Sequence, residues 1–481
     1  MKVITRFAPS PTGFMHIGGV RTALFAYLWA LKNSGTFILR IEDTDKKREI
    51  AGSIEHIEES LKWLRIIPNY GPKKPGPFGS CIQSERLESY HEYAQKLIEK
   101  GLAYADPFTE EEVERFRADA VLRKQSFLFR NYRPDVLPTV WKKGIALRFK
   151  VPVIKRYSWN DVVRGQLEAG EEALDDFILI KADGYPTYNF AHVVDDHLMG
   201  ITHIFRADEF ISSTPRFLSL YEALEIERPL FVTLPPILGP DKTKKLGKRD
   251  GARDILEYRK DGYLPEAMVN FLALLGWNPG TEQEFFSIDE LVHAFDIDRI
   301  QVSGASFDEV KLRSINQHWM RELSDKAFIE LGNLSAPDET KLRKAVAIMK
   351  ERARTFAEAR AMLTDGELSC LFSEPSPSKD RLLAKELPER PGIAKTALKS
   401  LLEAIKGLPE AVSPDAVKEA LMPLANEEEA KGKGGRGAVL WPLRYALSGA
   451  DRSPDPFTLI SVLGKEDAVS RVQKAIAILE G

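Results

Sequence analysis

The sequence predicts a parallel α/β fold, interrupted by an insertion and followed by an all-helical C-terminal region. Three observations carry this reading. Strand-like and helix-like stretches alternate over the first sixty residues, the alternation breaks between about 105 and 175 before resuming at Phe177, and strand patterning vanishes beyond about 325. Regular alternation of the two element types builds a parallel sheet with crossover helices. A chain of 481 residues exceeds what one hydrophobic core organises, so two to four domains are expected.

Val3 to Ala8 carries strand-forming residues and runs into Pro9-Ser10-Pro11-Thr12-Gly13, which must leave regular structure. A helix follows from Gly19, with Val20, Leu24, Tyr27, Leu28 and Leu31 at helical spacing and Gly35 as its stop. Phe37 to Ile41 is short and apolar enough for a buried parallel strand, and Ile54, Ile57, Leu61 and Leu64 mark the next helix. The segment from 105 to 175 mixes charges and prolines around the strand-like Ala146 to Val151, and reads as an insertion. The α/β pattern resumes at Phe177-Ile178-Leu179-Ile180, before an Asp183-Gly184 turn. Beyond about 325 the chain is charged, alanine-rich and helix-prone, broken by the Pro/Ser linker Glu374 to Ser378.

No apolar run reaches the length of a membrane span. The first residues turn polar too early for a signal peptide. Two distant cysteines, Cys81 and Cys370, form no disulfide framework and suit a reducing cytoplasm. A net charge of −3 leaves nucleic-acid binding open, because a polyanion is bound by a local basic surface.

Three constellations carry chemistry. In Arg6 to Gly19 a strand ends in a rigid turn and a helix begins at Gly18-Gly19, just after His16. A helix N-terminus of that kind presents N–H groups and positive potential to a phosphate, although on physics alone a plain strand-to-helix loop with a surface histidine wins, because Gly-Gly before a helix is common. In Leu238 to Gly251, five cations fall within eight residues between glycines, which makes either a loop that closes over a triphosphate or a solvated turn. In Tyr185 to His197, polar residues are embedded in an apolar, strand-like run and need partners or a function. His192, Asp195, Asp196, His197 and His203 match no specific metal-ligand spacing, so a hydrogen-bonded wall beneath a site is preferred to a metal centre.

His16-Ile17-Gly18-Gly19 and Lys245-Leu246-Gly247-Lys248-Arg249 bracket three further segments: Arg40 to Asp45, Asp183 to Tyr188, and Val194 to Gly200. The tail adds Val439-Leu440-Trp441-Pro442-Leu443-Arg444 and Val462-Leu463-Gly464-Lys465-Glu466. In this order, over nearly the whole chain, they resemble the bacterial glutamyl-tRNA synthetases, which are class I aminoacyl-tRNA synthetases. The resemblance implies a doubly wound, Rossmann-like catalytic domain split into 1–104 and 176–250. It also implies an inserted α+β acceptor-stem-binding domain at 105–175, a stem-contact domain at 251–324 and a helical anticodon-binding region at 325–481.

By the same resemblance, ATP with Mg²⁺ is held by Pro9, His16, Gly18, Gly19, Glu209, Lys245 and Lys248. Of these, His16, Lys245 and Lys248 assist the attack of glutamate on the α-phosphate. Glutamate falls to Arg6, Ala8, Ser10, Glu42, Tyr188, His192 and Arg206. Glu42 suits the ammonium, and the two arginines suit carboxylates, which favours glutamate over glutamine. Without the resemblance, Arg206 would read as a surface ion pair with Asp208 or Glu209. The partners implied are L-glutamate and tRNA(Glu), with tRNA(Gln) left open as a second tRNA, and tRNA is needed for the first step. A monomeric cytoplasmic enzyme is implied as well.

Three positions depart from the family pattern. Gly247 stands where serine is usual, and His192 where asparagine is common. Ala105 and Pro107 follow Tyr104 where many relatives place zinc-binding cysteines, so no zinc is expected. A glutaminyl-tRNA synthetase is the nearest alternative, but its anticodon module is a β-barrel. A catalytically inactive tRNA-binding paralogue is the other, against which His16, Lys245 and Lys248 all stand.

Overall fold

In the computed structural model, residues 2–247, 253–386, 391–430 and 435–481 are described. They form two compact units, Met1–Arg259 with Leu264–Ile315, and Lys260–Tyr263 with Asn316–Gly481.

The first unit is built on a six-stranded sheet. Its strands are β1 (Ile4–Phe7), β2 (Thr36–Leu39), β5 (Tyr157–Asp161), β6 (Gly165–Ala169), β8 (His203–Ala207) and β9 (Leu230–Leu234), in spatial order β2-β1-β8-β9-β5-β6. All neighbours are parallel except β5 and β6, which form an antiparallel hairpin at one edge. Strand β6 is the outermost, with Gln166 and Glu168 exposed. The chain turns from β1 through helix α1 (Ile17–Lys32) into β2, as the alternation predicts. Val20, Leu24, Tyr27 and Leu28 of α1 are buried, while Leu31 is partly exposed. Gly35 ends this passage because a Cβ there would lie 2.2 Å from the Val3 carbonyl oxygen. No other residue fits.

A second sheet holds β3 (Ala103–Ala105), β4 (Leu147–Phe149) and β7 (Ile178–Ile180), all antiparallel. Strand pairing thus departs from the expected segment boundaries in two places. The hairpin of β5 and β6 lies within 105–175 yet belongs to the main sheet, and Ile178–Ile180 joins the second sheet rather than the first. The reason lies in β5, where Tyr157, Trp159 and Asp161 face inward and Ser158 and Asn160 outward. Asp161 is buried because it accepts from the Thr233 hydroxyl of β9 and from three backbone N–H groups. A charge on an inward position hid this strand from hydropathy. One core, including Ile38, Tyr90, Phe149, Leu179, Phe190, Phe217 and Phe231, packs against both sheets.

The strand-like run at 185–197 is a helix, Tyr188–Leu198. Phe190, Val193 and Val194 recur at helical spacing and are fully buried, and Thr187 before them is extended. The expected turn at Gly184 forms, with φ +91° and its N–H on the Lys181 carbonyl.

The second unit contains only helices and loops among its described residues. The helix Ile393–Lys406 buries Ile393, Ala397, Leu398, Leu401 and Ile405, one stripe at 3.6-residue spacing, and packs on Lys465–Glu480 and Gly435–Ser448. Glu374 to Ser378 is irregular, as its composition requires.

Candidate active site

Parallel α/β sheets bind ligands outside the carboxyl ends of their strands, where the strand order reverses. Here the chain leaves β1 toward β2 on one side and borders β8 on the other. The loops after β1, β8 and β9 line a cavity of about 660 Å³ at that point.

The first wall is the β1–α1 loop. His16 occupies the N-cap of α1 with an extended backbone, and its Nδ1 accepts from the Gly18 N–H at 3.1 Å. In the neutral ring the proton therefore sits on Nε2. No acidic residue lies in the first turn of α1. The helix dipole thus meets no internal counter-charge there, which suits an anionic ligand. Pro9, Ser10, His16, Gly18 and Gly19 all line the cavity.

Beneath this wall lies a cluster of buried charge. Arg6 holds Asp196 through Nε and Nη2 at 3.0 and 3.2 Å, and Arg40 donates to Asp196 at 2.7 Å and to Glu42 at 2.9 Å. Asp195 accepts from Arg86, Gln83 and the Tyr90 hydroxyl, at 2.8, 2.9 and 2.7 Å. Burial by itself would push the Asp196 carboxyl up, but Arg40 and Arg6 together hold it well below the usual range. Glu42 goes the other way: burial raises it against the pull of the same arginines. The hydrogen-bonded wall expected around Asp195 and Asp196 is this cluster. Among the described residues, no group of three His, Cys, Asp or Glu side chains is arranged to hold a metal ion.

Arg6, Glu42, Tyr188 and Arg206 come together at the inner end of the cavity. Arg206 is no surface residue: 7% exposed, it lies over the Phe231 ring at 4.2 Å and donates to the Thr214 hydroxyl at 2.7 Å. Among the described residues its Nε has no partner and no carboxylate pairs with it, while burial pulls its pKa down to about 10. A buried cation without a carboxylate in contact is costly unless an anion arrives. His192 is not among the lining residues. Its ring stacks under Tyr188 at 4.7 Å and its Nδ1 donates to the Tyr188 carbonyl at 2.8 Å, while burial lowers its pKa to about 3. The structure therefore places it as a neutral support behind Tyr188 and not at the surface of the pocket.

The opposite wall is the basic loop, whose start pairs back on itself through Leu238 and Lys245. Lys245 reaches the Glu209 carboxylate, both side chains being 57% exposed. Such a pair contributes about 0–1 kcal/mol and yields readily to a better anion. Gly247 also lines the cavity, and Lys248 lies outside the described residues.

Two arginines escaped sequence reasoning. Arg40 stands inside the apolar run Phe37 to Ile41, and Arg21 inside a helix turn of buried residues. A cation within a buried stretch was the available signal in both cases.

Comparison with known proteins agrees with this geometry. Residues 2–314 match the family model of the class I tRNA synthetases (E and Q), catalytic domain, and residues 315–476 match an anticodon binding domain. The chain is 39% identical to a glutamate–tRNA ligase of Anaeromyxobacter sp., covering 98% of each. It is 40% identical to that of Carboxydothermus hydrogenoformans, over 98% of this chain and 99% of the relative. Its structure superposes on a glutamate tRNA ligase from Elizabethkingia meningosepticum, solved in complex with its amino acid, with a TM-score of 0.86 and 36% identity over the whole of both chains.

Proposed function

The chain belongs to the glutamate–tRNA ligases of the class I tRNA synthetases, and from its cavity we infer how this member works. It activates L-glutamate with ATP to glutamyl-adenylate and transfers the glutamyl group to the 3′-terminal adenosine of tRNA(Glu). The observation that carries the residue assignment is Arg206, a buried guanidinium on the cavity with no carboxylate paired to it among the described residues. A substrate carboxylate supplies the missing charge, and an uncharged carboxamide does not.

In this reading Arg206 and Arg6 receive carboxylate oxygens of glutamate. Glu42 takes the ammonium, and Ala8, Ser10 and Tyr188 complete the pocket, with His192 bracing Tyr188 from behind. ATP, carrying Mg²⁺ as part of the substrate, lies along Pro9, His16, Gly18 and Gly19, with Glu209 toward the adenosine. A carboxylate oxygen of glutamate attacks the α-phosphorus, the bond to the pyrophosphate oxygen breaks, and Lys245 and Lys248 stabilise the departing charge. No protein nucleophile takes part. The 2′-hydroxyl of the terminal adenosine then attacks the acyl carbon, and AMP leaves.

The same reading gives 105–175 to the acceptor stem, 251–324 to stem contact and 325–481 to the anticodon. It describes a cytoplasmic monomer without zinc. Ala105 and Pro107 offer no ligand atom, and Tyr104 is bonded to Asp176, which Arg133 also holds. Zinc analysis of the purified protein is expected to give well under one equivalent, and a tightly held equivalent would refute that part. For the reaction itself, glutamate-dependent ATP–pyrophosphate exchange is expected once cognate tRNA is added. Exchange with glutamine and not glutamate would overturn the assignment, and parallel charging of the two purified tRNAs decides whether tRNA(Gln) is also a substrate.

A further inference from the structure

Arg21 sits one turn beyond the phosphate-binding start of α1 and is only 4% exposed. Its Nη1 donates to the Leu275 carbonyl at 3.0 Å, and its Nη2 donates to the Pro235 carbonyl. Leu275 caps the C-terminal end of helix Pro265–Leu274, where a cation suits the exposed carbonyls. Pro235 is the second attachment and the more informative one. Two residues on begins the short strand Ile237–Leu238, the root of the basic loop, whose Ile237 carbonyl accepts from the Leu246 N–H at 2.7 Å and whose Leu238 bridges Lys245.

Pro235 and Pro236 have no N–H groups, so this root is held through its carbonyls. Pro236 accepts from Ala305 at 3.2 Å and Pro235 from Arg21. Gly276 makes room: its φ is +98°, and a Cβ there would lie 3.1 Å from Arg21 Nη1. The arrangement is costly. The guanidinium lies near the positive end of its own helix, its Nε has no partner among the described residues, and burial lowers its pKa to about 10.

We propose that Arg21 is a positioning residue that ties the N-terminal end of α1 to the root of the basic loop, fixing where Lys245 stands relative to the bound phosphates. The proposal rests on the reading of Lys245 given above. Arg21 also borders the cavity, but both its Nη atoms are committed to these two carbonyls. It therefore acts through the loop, and its loss lowers the rate of adenylate formation and leaves ground-state binding nearly intact. Misplacement of a charge-stabilising group by about 1 Å is enough for a large rate loss.

Single-turnover adenylate formation with tRNA present tests this on Arg21→Lys, which keeps the charge but cannot fork between two carbonyls. Arg21→Gln, able to reach one carbonyl, and Lys245→Ala run alongside. The expected result for Arg21→Lys is a rate at least about tenfold lower, with half-saturating ATP and glutamate changed less than about threefold. The melting temperature should hold, and trypsin should cut the basic loop faster. Parent-like turnover in Arg21→Lys beside a slowed Lys245→Ala overturns the proposal and leaves the site assignment standing. Losses in both Arg21 variants that merely track the unfolded fraction make Arg21 a core brace, and also overturn it. A Lys245→Ala enzyme as fast as the parent removes the site assignment itself, and this inference with it.

Discussion

The cavity has charge on two sides, and the two sets live under opposite conditions. Below it, Arg6, Arg40 and Arg86 face Glu42, Asp195 and Asp196 with almost no solvent between them. At its mouth, Lys245 and Glu209 meet in water. The lower set is already paired, charge against charge, and cannot rearrange cheaply, so it fixes the shape and polarity of the amino-acid end. The upper set is weakly committed and free to follow a charge that moves during the reaction. Specificity sits on the dry side and rate on the wet side.

The sharpest way to break this contrast is to remove one charge from each set. Asp196→Ala leaves Arg6 buried without its carboxylate and Arg40 with Glu42 and Asp195 alone, and should cost about 3–5 kcal/mol of folding stability in urea titrations. Glu209→Ala should cost under about 1 kcal/mol in the same assay. Equal losses would erase the distinction. On the wet side, Lys245→Ala should slow adenylate formation by about a hundredfold, roughly 2.7 kcal/mol, with little change in ATP affinity or stability, and Lys248→Ala is expected to slow it to a similar degree. Stopped single turnovers measure both. Arg206→Gln should weaken the specificity constant for glutamate by about tenfold or more, since a charge-assisted contact is worth roughly 1.5–3 kcal/mol, while ATP binding holds. An unchanged constant would take Arg206 out of the substrate pocket.

His192 sharpens the comparison through pH. Its folded pKa of about 3 lies below the ordinary value near 6.5, because burial disfavours the imidazolium. The unfolded chain therefore binds a proton first as pH falls. Stability from this residue is complete above about pH 6.5 and drains away toward pH 3, by up to about 1.4 kcal/mol per pH unit. His192→Asn should flatten that part of the stability profile between pH 6.5 and 4, as read by urea midpoints. The smallest effect belongs to Gly247→Ser, which should be neutral or mildly accelerating, by about 1 kcal/mol at most.

The dry and wet sets were also unequally legible in the sequence. The β1–α1 turn, the glycine start and the basic loop are local features, and each is written in consecutive residues. Arg206 gained its burial from Phe231 and Thr214, contacts that no spacing rule reveals. Residues 185–197 read as strand-like because polar side chains broke up the apolar stripe of Phe190, Val193 and Val194, yet those polar groups are what the helix presents to the buried arginines. His192 entered the site by resemblance, and only the ring stacking on Tyr188 shows that it stands one layer back. The hairpin of β5 and β6 was hidden by Asp161, whose partner across the sheet, Thr233, lies 72 residues away.

The outermost strand of that hairpin has a consequence for how the protein behaves at high concentration. A sheet edge offers unpaired main-chain groups on which another molecule can add a strand. Gln166 and Glu168 face solvent on β6, and Glu168 is paired with Arg156 at 3.2 Å. The opposite edge is sheltered because Phe37 and Leu39 of β2 exchange main-chain hydrogen bonds with Asn69 and Tyr70. Polymerisation is thereby resisted at one border by charge and at the other by a covering loop. Replacing Glu168 with valine would strip the first guard, and the damage would appear as fibres or precipitate in a protein whose catalytic centre is untouched.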